Sequence, residues 1–371
     1  MLRRSLRKLL TRLAADSLRP LSALKFLSLP PPATFSALTQ LRQGKALGLV
    51  ILKKQRMPRF GKNSMTLRSR FNQHLQQPWP IFWAHYAPAR LFSNSLALLD
   101  NNFNLMIESA FGRFYKNDSA WISFVGQPPR KLLGSWTSII SEWCPLSVQS
   151  KCNYYHWLFD ALPRLGCLKH FPATTRILVP RALPAFAMDS LEMLGLKKRC
   201  LAPDSNHLLI DDYYYSGIVG MTGCHNPYAI RFLRKSFLPH ASSANQPTRF
   251  FVARRHSARG IINNIEVIDF FQRKGWSVVY LESLSFADQI KLFRDAEAIC
   301  ALHGAALANL AWCNPKTFIF EIFSHNYLQG VYEGIAKINR LNYQPIVFKA
   351  RRDRCLKIDL AILHKHLKDL I

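Results

Sequence analysis

Several features that mark membrane proteins and metal proteins are missing from this chain of 371 residues. No run of about 18 apolar residues occurs, so we expect neither a membrane-spanning helix nor a secretory leader. The longest apolar stretch, 46–52, has the length of a strand. The eight cysteines form no Cys-x-x-Cys pair, and neither a zinc spacing nor an Asp-x-Asp motif is present. These absences favour a protein of the reducing cytoplasm that needs no metal ion.

Acidic residues are scarce, with 22 Asp and Glu against 50 Lys and Arg, and the excess is unevenly spread. Residues 1–99 hold 17 Lys and Arg but only one acid, Asp16. Leucines 2, 6, 9 and 13 recur at helical spacing among basic residues, which is typical of a helix lying on an anionic lipid surface. We therefore predict that residues 1–30 attach the protein peripherally to the inner face of the membrane. A solvated arm and an organelle transit peptide have the same composition and remain alternatives.

The segment 153–165 carries the most informative pattern in the chain. At about 100° per residue its polar side chains fall on one face, and they are Asn153, His156, Asp160 and Arg164. Three leucines, at 158, 162 and 165, lie on the opposite side and can pack on a core. The pattern predicts a helix that displays an amide, an imidazole, a carboxylate and a guanidinium along one edge. An ordinary amphipathic helix would have the same spacing.

Pro163 interrupts this predicted helix. Its ring would clash with the carbonyl of residue 159 in a regular α-helix. We therefore predict a kinked turn around Asp160, although a simple helix end would produce the same sequence.

Strands and helices alternate in the second half of the chain. The predicted strands are 248–253, 276–281, 298–302 and 316–323, and helices begin near Asn263 or Asn264 and at Ser285. This alternation predicts a parallel, doubly wound sheet. The segment His303–Asn309 joins a strand to a helix through small residues, which leaves the helix N-terminus open to an anion. Close packing of helix on sheet also requires small residues there.

The first half is expected to be β-rich and then α/β. Its predicted strands are 96–99, 104–108, 135–143, 175–179 and 208–214, with helices at 186–194 and 229–237. Asn, Gln and Pro in 242–248 mark a boundary. The predicted organisation is a basic arm (1–32), an irregular basic linker (33–84), a first α/β domain (85–244), a second α/β domain (245–350) and a C-terminal helix (351–371).

Three segments occur in a fixed order along the chain: the Asn-x-x-His-x-x-x-Asp segment from Asn153, the Arg-rich strand end at Arg254 and the His-Gly-Ala turn at His303. Together, in this order, they resemble glycosyltransferase family 61. The resemblance covers about residues 85–350. It implies an α/β fold of the GT-B type, in which two facing Rossmann-type domains enclose a cleft, here preceded by the basic arm. The first α/β domain (85–244) would then be the acceptor-side domain and the second (245–350) the nucleotide-sugar-binding domain. It also implies inverting transfer of a sugar from a nucleotide-sugar to a glycan or lipid-linked glycan hydroxyl, as in the synthesis of surface polysaccharides.

Glycosyl transfer requires a base for the acceptor proton and positive groups for the diphosphate. Asp160 is the first candidate for the base and His156 the second. Arg254, Arg259 and the turn at Gly304 and Ala305 suit the diphosphate, and Glu321 suits the ribose hydroxyls. The remaining candidates are Asn263, His303 and Asn309 on the donor side and Asn153 and Arg164 on the acceptor side. We expect no cofactor and no metal ion.

Two other classes of protein remain as alternatives. A pI near 10.1 and the aromatic run 213–215 would suit nucleic acid, but no nucleic-acid-binding motif accompanies them. An inactive sugar-binding scaffold could have the same fold. Nucleotide-sugar turnover distinguishes an enzyme from both.

Overall fold

The computed structural model describes residues 81–92, 96–99, 128–140, 146, 152–217, 219, 225–255, 260–349, 355–368 and 370, and the backbone of 34–35, 48–54, 80 and 105–106. The predicted basic arm lies outside these residues. Among the described residues, no helix has both the length and the apolar character needed to cross a bilayer.

The first sheet has ten strands in the described part of the chain. They are β1 (Thr34–Phe35), β2 (Gly48–Lys54), β3 (Pro80–Tyr86), β4 (Ala89–Phe92), β5 (Ala97–Leu99), β6 (Leu105–Met106), β7 (Arg130–Ser138), β8 (Arg176–Leu178), β9 (Cys200–Leu201) and β10 (His207–Ser216). Strands β10, β7, β8 and β9 are adjacent and parallel. Strand β2 pairs antiparallel with β3, and β4 pairs antiparallel with β5. Only four residues separate β4 from β5, and so short a connection can join only antiparallel neighbours.

The second sheet is parallel throughout, as the sequence predicts. Its strands are β11 (Arg249–Val252), β12 (Ser277–Val279), β13 (Ala298–Leu302), β14 (Phe318–Ser324) and β15 (Asn342–Phe348). Their spatial order is β12-β11-β13-β14-β15. The chain therefore moves outward from β11 to β12 and then returns to the other side of β11, which places a topological switch point between β11 and β13.

The α-helices flank these sheets. They are α1 (Tyr154–His156), α2 (Ala185–Met193), α3 (Pro227–Phe237), α4 (Asn264–Arg273), α5 (Phe286–Arg294), α6 (Val331–Asn339) and α7 (Leu360–Leu367). Ser285 caps α5 by accepting from the Asp288 N–H, which confirms that predicted start. Helix α6 and strand β15 were not predicted from the sequence.

One continuous apolar core joins the two halves of the chain. Trp157 and Leu162, from the signature segment 153–165, lie in the same cluster as Phe250 of β11 and Trp312, which follows β13. All four side chains are fully buried. The signature segment therefore packs against the second sheet's side of the molecule, so that residues far apart in sequence are held in fixed positions.

Candidate functional site

The signature segment is helical but not a regular α-helix. After the single turn of α1, residues Trp157–Ala161 form a π-helical turn. Residues Leu162–His170 then form a 3₁₀ helix with Pro163 in its first turn. The N–H of Leu162 donates to the carbonyl of Trp157, five residues back. This confirms the predicted departure from α-helix near Asp160, because Pro163 has no N–H with which to continue an α-helical ladder.

His156 and Asp160 form a buried pair on this turn. The distance from His156 Nδ1 to Asp160 Oδ2 is 2.6 Å, and their side chains are 10% and 5% exposed. Burial raises the pKa of the Asp160 carboxyl, while the hydrogen bond from His156 opposes that shift. The sequence predicts an exposed polar edge, and the structure instead encloses the pair within the core.

The outer two residues of the predicted polar face have other contacts. Asn153 is exposed and caps α1, since its side chain accepts from the Tyr155 N–H at 2.9 Å. Arg164 is buried and donates to the carbonyl oxygens of Ser216 at 2.9 Å and Ile140 at 3.1 Å. Arg164 therefore ties the signature segment to the first sheet.

An open cleft lies at the carboxyl edge of the second sheet. Its lining comes from the ends of β11, β13 and β14 and from the C-terminal segment, and consists of Arg254, Leu302, His303, Ile322, Ser324, Tyr327 and Leu356. The cleft lies at the switch point between β11 and β13, where ligands of open α/β sheets bind. The sequence predicts Arg254 and His303 at this edge, and the structure brings them together there.

Arg254 braces the turn after β13. Its Nη2 donates to the carbonyl oxygens of Leu302 at 2.8 Å and His303 at 3.0 Å. The guanidinium also lies against Gly304, where a Cβ atom would come within 2.4 Å of Nη2. Glycine at 304 is therefore required for this approach, and the arginine that lines the cleft also fixes the conformation of the turn.

His303 forms a second pair of a histidine with a carboxylate. Its Nδ1 lies 2.5 Å from Glu321 Oε1, and Glu321 Oε2 accepts from the Tyr343 hydroxyl at 2.6 Å. Glu321 is fully buried, whereas the His303 side chain keeps 10% of its surface exposed at the cleft. The sequence predicts that Glu321 binds ribose hydroxyls. The structure places it behind His303, with both oxygens already bonded to side chains of the protein.

This geometry accompanies a match to a known family. Residues 154–320 match Glycosyltransferase 61. The match includes the His156–Asp160 pair and His303, and it ends one residue before Glu321. The match confirms the resemblance to this family over residues 154–320. A beta-1,2-xylosyltransferase of Arabidopsis thaliana is 31% identical over an alignment of 136 positions, which covers 30% of this chain and 26% of the relative. The match to that relative thus covers about a quarter of its length.

The structure gives other roles to several residues of the family 61 motifs. Asn309 is fully buried at the end of the His-Gly-Ala turn. Its Oδ1 accepts from Tyr154 of α1 at 2.6 Å and from Trp312 at 2.9 Å, and its Nδ2 donates to Gln289 at 3.2 Å. We predicted Asn309 as a donor-site residue, but it links the signature segment to the turn and lies away from the cleft lining.

The other predicted donor-side residues differ in their environments. Asn263 makes a two-way contact with Ile358, donating to its carbonyl and accepting from its N–H, each at 2.9 Å. Ala305 begins a short 3₁₀ helix, Ala305–Ala311, and packs against the core. Arg259 lies outside the described residues. In the described part of the chain, no three His, Cys, Asp or Glu side chains are grouped as metal ligands would be.

Sequence reasoning missed Ser324, Tyr327 and Tyr343. Ser324 is the last residue of β14 and Tyr327 follows that strand, in a segment without a motif. Tyr343 belongs to the unpredicted strand β15. A Tyr or Ser after a buried strand is too common to single out. Only the register of β14 against β15 places Tyr343 beside Glu321.

Proposed function

We propose that this protein is a glycosyltransferase that uses a nucleotide-sugar donor and a glycan or lipid-linked glycan acceptor. The observation that supports this most directly is the cleft at the switch point of the second sheet, with Arg254 and His303 on its lining, within a region of the glycosyltransferase 61 family. Arginine suits a diphosphate because its guanidinium makes charge-assisted bonds to phosphate oxygens.

The proposed reaction is a single displacement with inversion. The acceptor oxygen bonds to the anomeric carbon while the bond from that carbon to the diphosphate oxygen breaks, and the bonding electrons leave with the diphosphate. The acceptor hydroxyl proton passes to the His156–Asp160 pair. Because the Asp160 carboxylate is buried and bonded to His156 Nδ1, we favour the His156 imidazole as the proton acceptor and Asp160 as the group that positions it.

Positive charge for the diphosphate is proposed to come from side chains without a metal ion. Arg254 and His303 lie at the cleft, and the predicted contribution of Arg259 stays a proposal. The GT-B arrangement, in which the acceptor side is formed by the first α/β unit, is part of the same proposal. It is supported by the packing of the signature segment against the turn that follows His303, through Tyr154 and Asn309.

The test is incubation of the purified protein with a panel of nucleotide-sugars, scored for bound nucleotide and for released nucleoside diphosphate. We expect saturable binding and slow hydrolysis of at least one donor, unchanged by EDTA. Loss of binding with EDTA would reject the metal-independent reaction. An absence of binding and turnover across the panel would reject the transferase function and favour the inactive scaffold.

A separate proposal concerns the leucine- and arginine-rich segment 1–30. We propose that it holds the enzyme at an anionic membrane surface, since each basic residue there contributes on the order of 1 kcal/mol. The protein lacking residues 1–30 should no longer sediment with anionic liposomes but should keep donor hydrolysis. Equal sedimentation with neutral and anionic liposomes would reject the proposal.

A further inference from the structure

The His303–Glu321–Tyr343 cluster has a feature that nucleotide binding alone does not explain. Glu321 has no exposed surface, yet it carries a carboxylate with donors on both oxygens. A buried carboxylate is costly unless an opposite charge accompanies it. Of its two partners, the tyrosine hydroxyl is neutral, so only the imidazole can supply a positive charge.

The charge on Glu321 also affects Tyr343. Burial, followed by the charge of Glu321, raises the pKa of the Tyr343 hydroxyl well above its usual range. Tyr343 therefore stays protonated and donates to Oε2 throughout the range in which a histidine titrates. Oε1 is left to His303 Nδ1, and this fixes the orientation of the ring.

The His303 ring lines the cleft among three aromatic side chains. Its faces pack against Phe323 at 5.1 Å and Tyr332 at 5.3 Å, with Tyr327 at 5.5 Å, measured between ring centroids. Nδ1 is bonded to Glu321. Nε2 has no hydrogen-bond partner among the described residues, and His303 lines the cleft beside Arg254.

We propose that Glu321 and Tyr343 are positioning residues that hold His303 as an imidazolium, whose Nε2–H donates to the diphosphate of the nucleotide-sugar and stabilises it as it leaves. This inference rests on the proposed function. It adds a proton-dependent contact at the leaving group, on the side of the reaction opposite to the acceptor base.

Several charged and titratable groups lie around His303. Glu321 contacts the ring directly, and the hydroxyls of Tyr327, Tyr332 and Tyr343 belong to neighbouring side chains. Arg254 is positive, and its Nη2 donates to the backbone carbonyl of His303. Glu333 follows Tyr332 on α6 and adds negative charge near Tyr343. A diphosphate in the cleft would further favour the imidazolium.

The test measures donor affinity against pH by calorimetry, with UDP-sugars and GDP-sugars as the probes. Their two phosphate groups keep the same charge from about pH 5 to pH 8, so a change in affinity across this range reports on the protein. Wild-type affinity should fall roughly ten- to a hundredfold between the acidic and the alkaline end of this pH range, the scale of a hydrogen bond to a charged group.

Three variants test whether the loss of donor affinity at higher pH comes from the His303–Glu321–Tyr343 cluster. Glu321→Gln removes the charge that holds the proton, so the fall should move to lower pH, and Tyr343→Phe should move it less. His303→Gln should bind weakly at every pH. His364→Gln, on the exposed side of α7, is the matched control and should keep the wild-type profile.

The outcomes separate this inference from the proposed function. Donor binding that is independent of pH in the wild type, or that strengthens as pH rises, would overturn the imidazolium while leaving the transferase proposal in place. Binding of no nucleotide-sugar at any pH would overturn the proposed function itself. The wild-type profile needs no variant, so misfolding of Glu321→Gln would not prevent the test.

Discussion

The two His–carboxylate pairs of this protein are alike in chemistry and different in construction. His156 and Asp160 are four residues apart on one helical turn, and both are buried. His303 directly follows β13 and Glu321 lies within the neighbouring parallel strand β14, and the histidine reaches the surface of a cleft. A pair within one turn is fixed by local geometry, whereas a pair across strands depends on the register of the sheet. The difference supports different roles, acceptor activation for the first pair and leaving-group contact for the second.

The largest expected effect comes from removing the charge of the first pair. Asp160→Asn should lower donor turnover roughly 10²- to 10⁴-fold, the range for a lost general base or its partner, with donor affinity nearly unchanged. Steady-state hydrolysis and calorimetry measure the two quantities. Asp269→Asn, at an exposed position of α4, is the control.

The same variant should keep its stability. Because the folded-state pKa of Asp160 is raised, the buried carboxylate makes the wild type less stable as pH rises above the unfolded-state value, and asparagine carries no such charge. A melting temperature at or above the wild-type value is expected at neutral pH. Wild-type turnover, or a strongly lowered melting temperature, would contradict this role for Asp160.

The next largest effect should come from removing Asn309, whose hydrogen bonds link the segments that carry the two pairs. Asn309→Ala leaves the buried Tyr154 hydroxyl and Trp312 indole N–H without their acceptor, at about 1–3 kcal/mol for each unsatisfied group. We expect a loss of about 3 kcal/mol in the free energy of unfolding, measured with urea. Asn342→Ala removes one exposed hydrogen bond and should cost far less. Equal losses in the two variants would show that Asn309 does not hold the pairs together.

Arg254→Ala tests the second pair's surroundings. Donor binding should weaken by about 1.5–3 kcal/mol, the scale for a hydrogen bond to a charged group. Arg255→Ala is the matched neighbour, because Arg255 is exposed and lies over the Tyr280 ring at 5.0 Å, outside the cleft lining. Calorimetry that finds the same affinity in both variants would limit Arg254 to bracing the turn.

The smallest effect at neutral pH concerns His225, which lies beside the first pair. Its Nε2 is 2.8 Å from the Tyr155 hydroxyl, and burial lowers the pKa of the imidazole from 6.5 to about 3. The unfolded chain therefore binds a proton that the folded protein excludes, so stability falls as pH decreases from about 6.5 towards 3. The slope from this one group is at most about 1.4 kcal/mol per pH unit.

His225→Gln should flatten the fall of the melting temperature below about pH 6.5. His240→Gln, at an exposed position, should not. Identical curves for the wild type and His225→Gln would mean that this part of the core admits water.

Much of the second sheet could be predicted from the sequence, and its site only in part. Strand β13 was predicted with the same ends as observed, because Ala298–Leu302 is a short apolar run bounded by turns. Strand β15 was missed because Pro345 and its polar residues do not follow the pattern of a central strand, and the structure places β15 at the sheet edge, where proline is tolerated. Because β15 was missed, the sequence did not predict Tyr343 beside Glu321 or the position of Glu321 behind His303. The His156–Asp160 contact was predictable from spacing, but its burial depends on packing between segments far apart in sequence.

The central claim is that the first pair activates the acceptor and the second contacts the leaving group. It is tested most directly by comparing Asp160→Asn and His303→Gln in one donor assay that yields the turnover and the dissociation constant together. The account predicts that Asp160→Asn loses turnover and keeps donor affinity, while His303→Gln loses at least about tenfold in donor affinity at low pH. Two variants with the same pattern, either both defective only in turnover or both only in affinity, would contradict it.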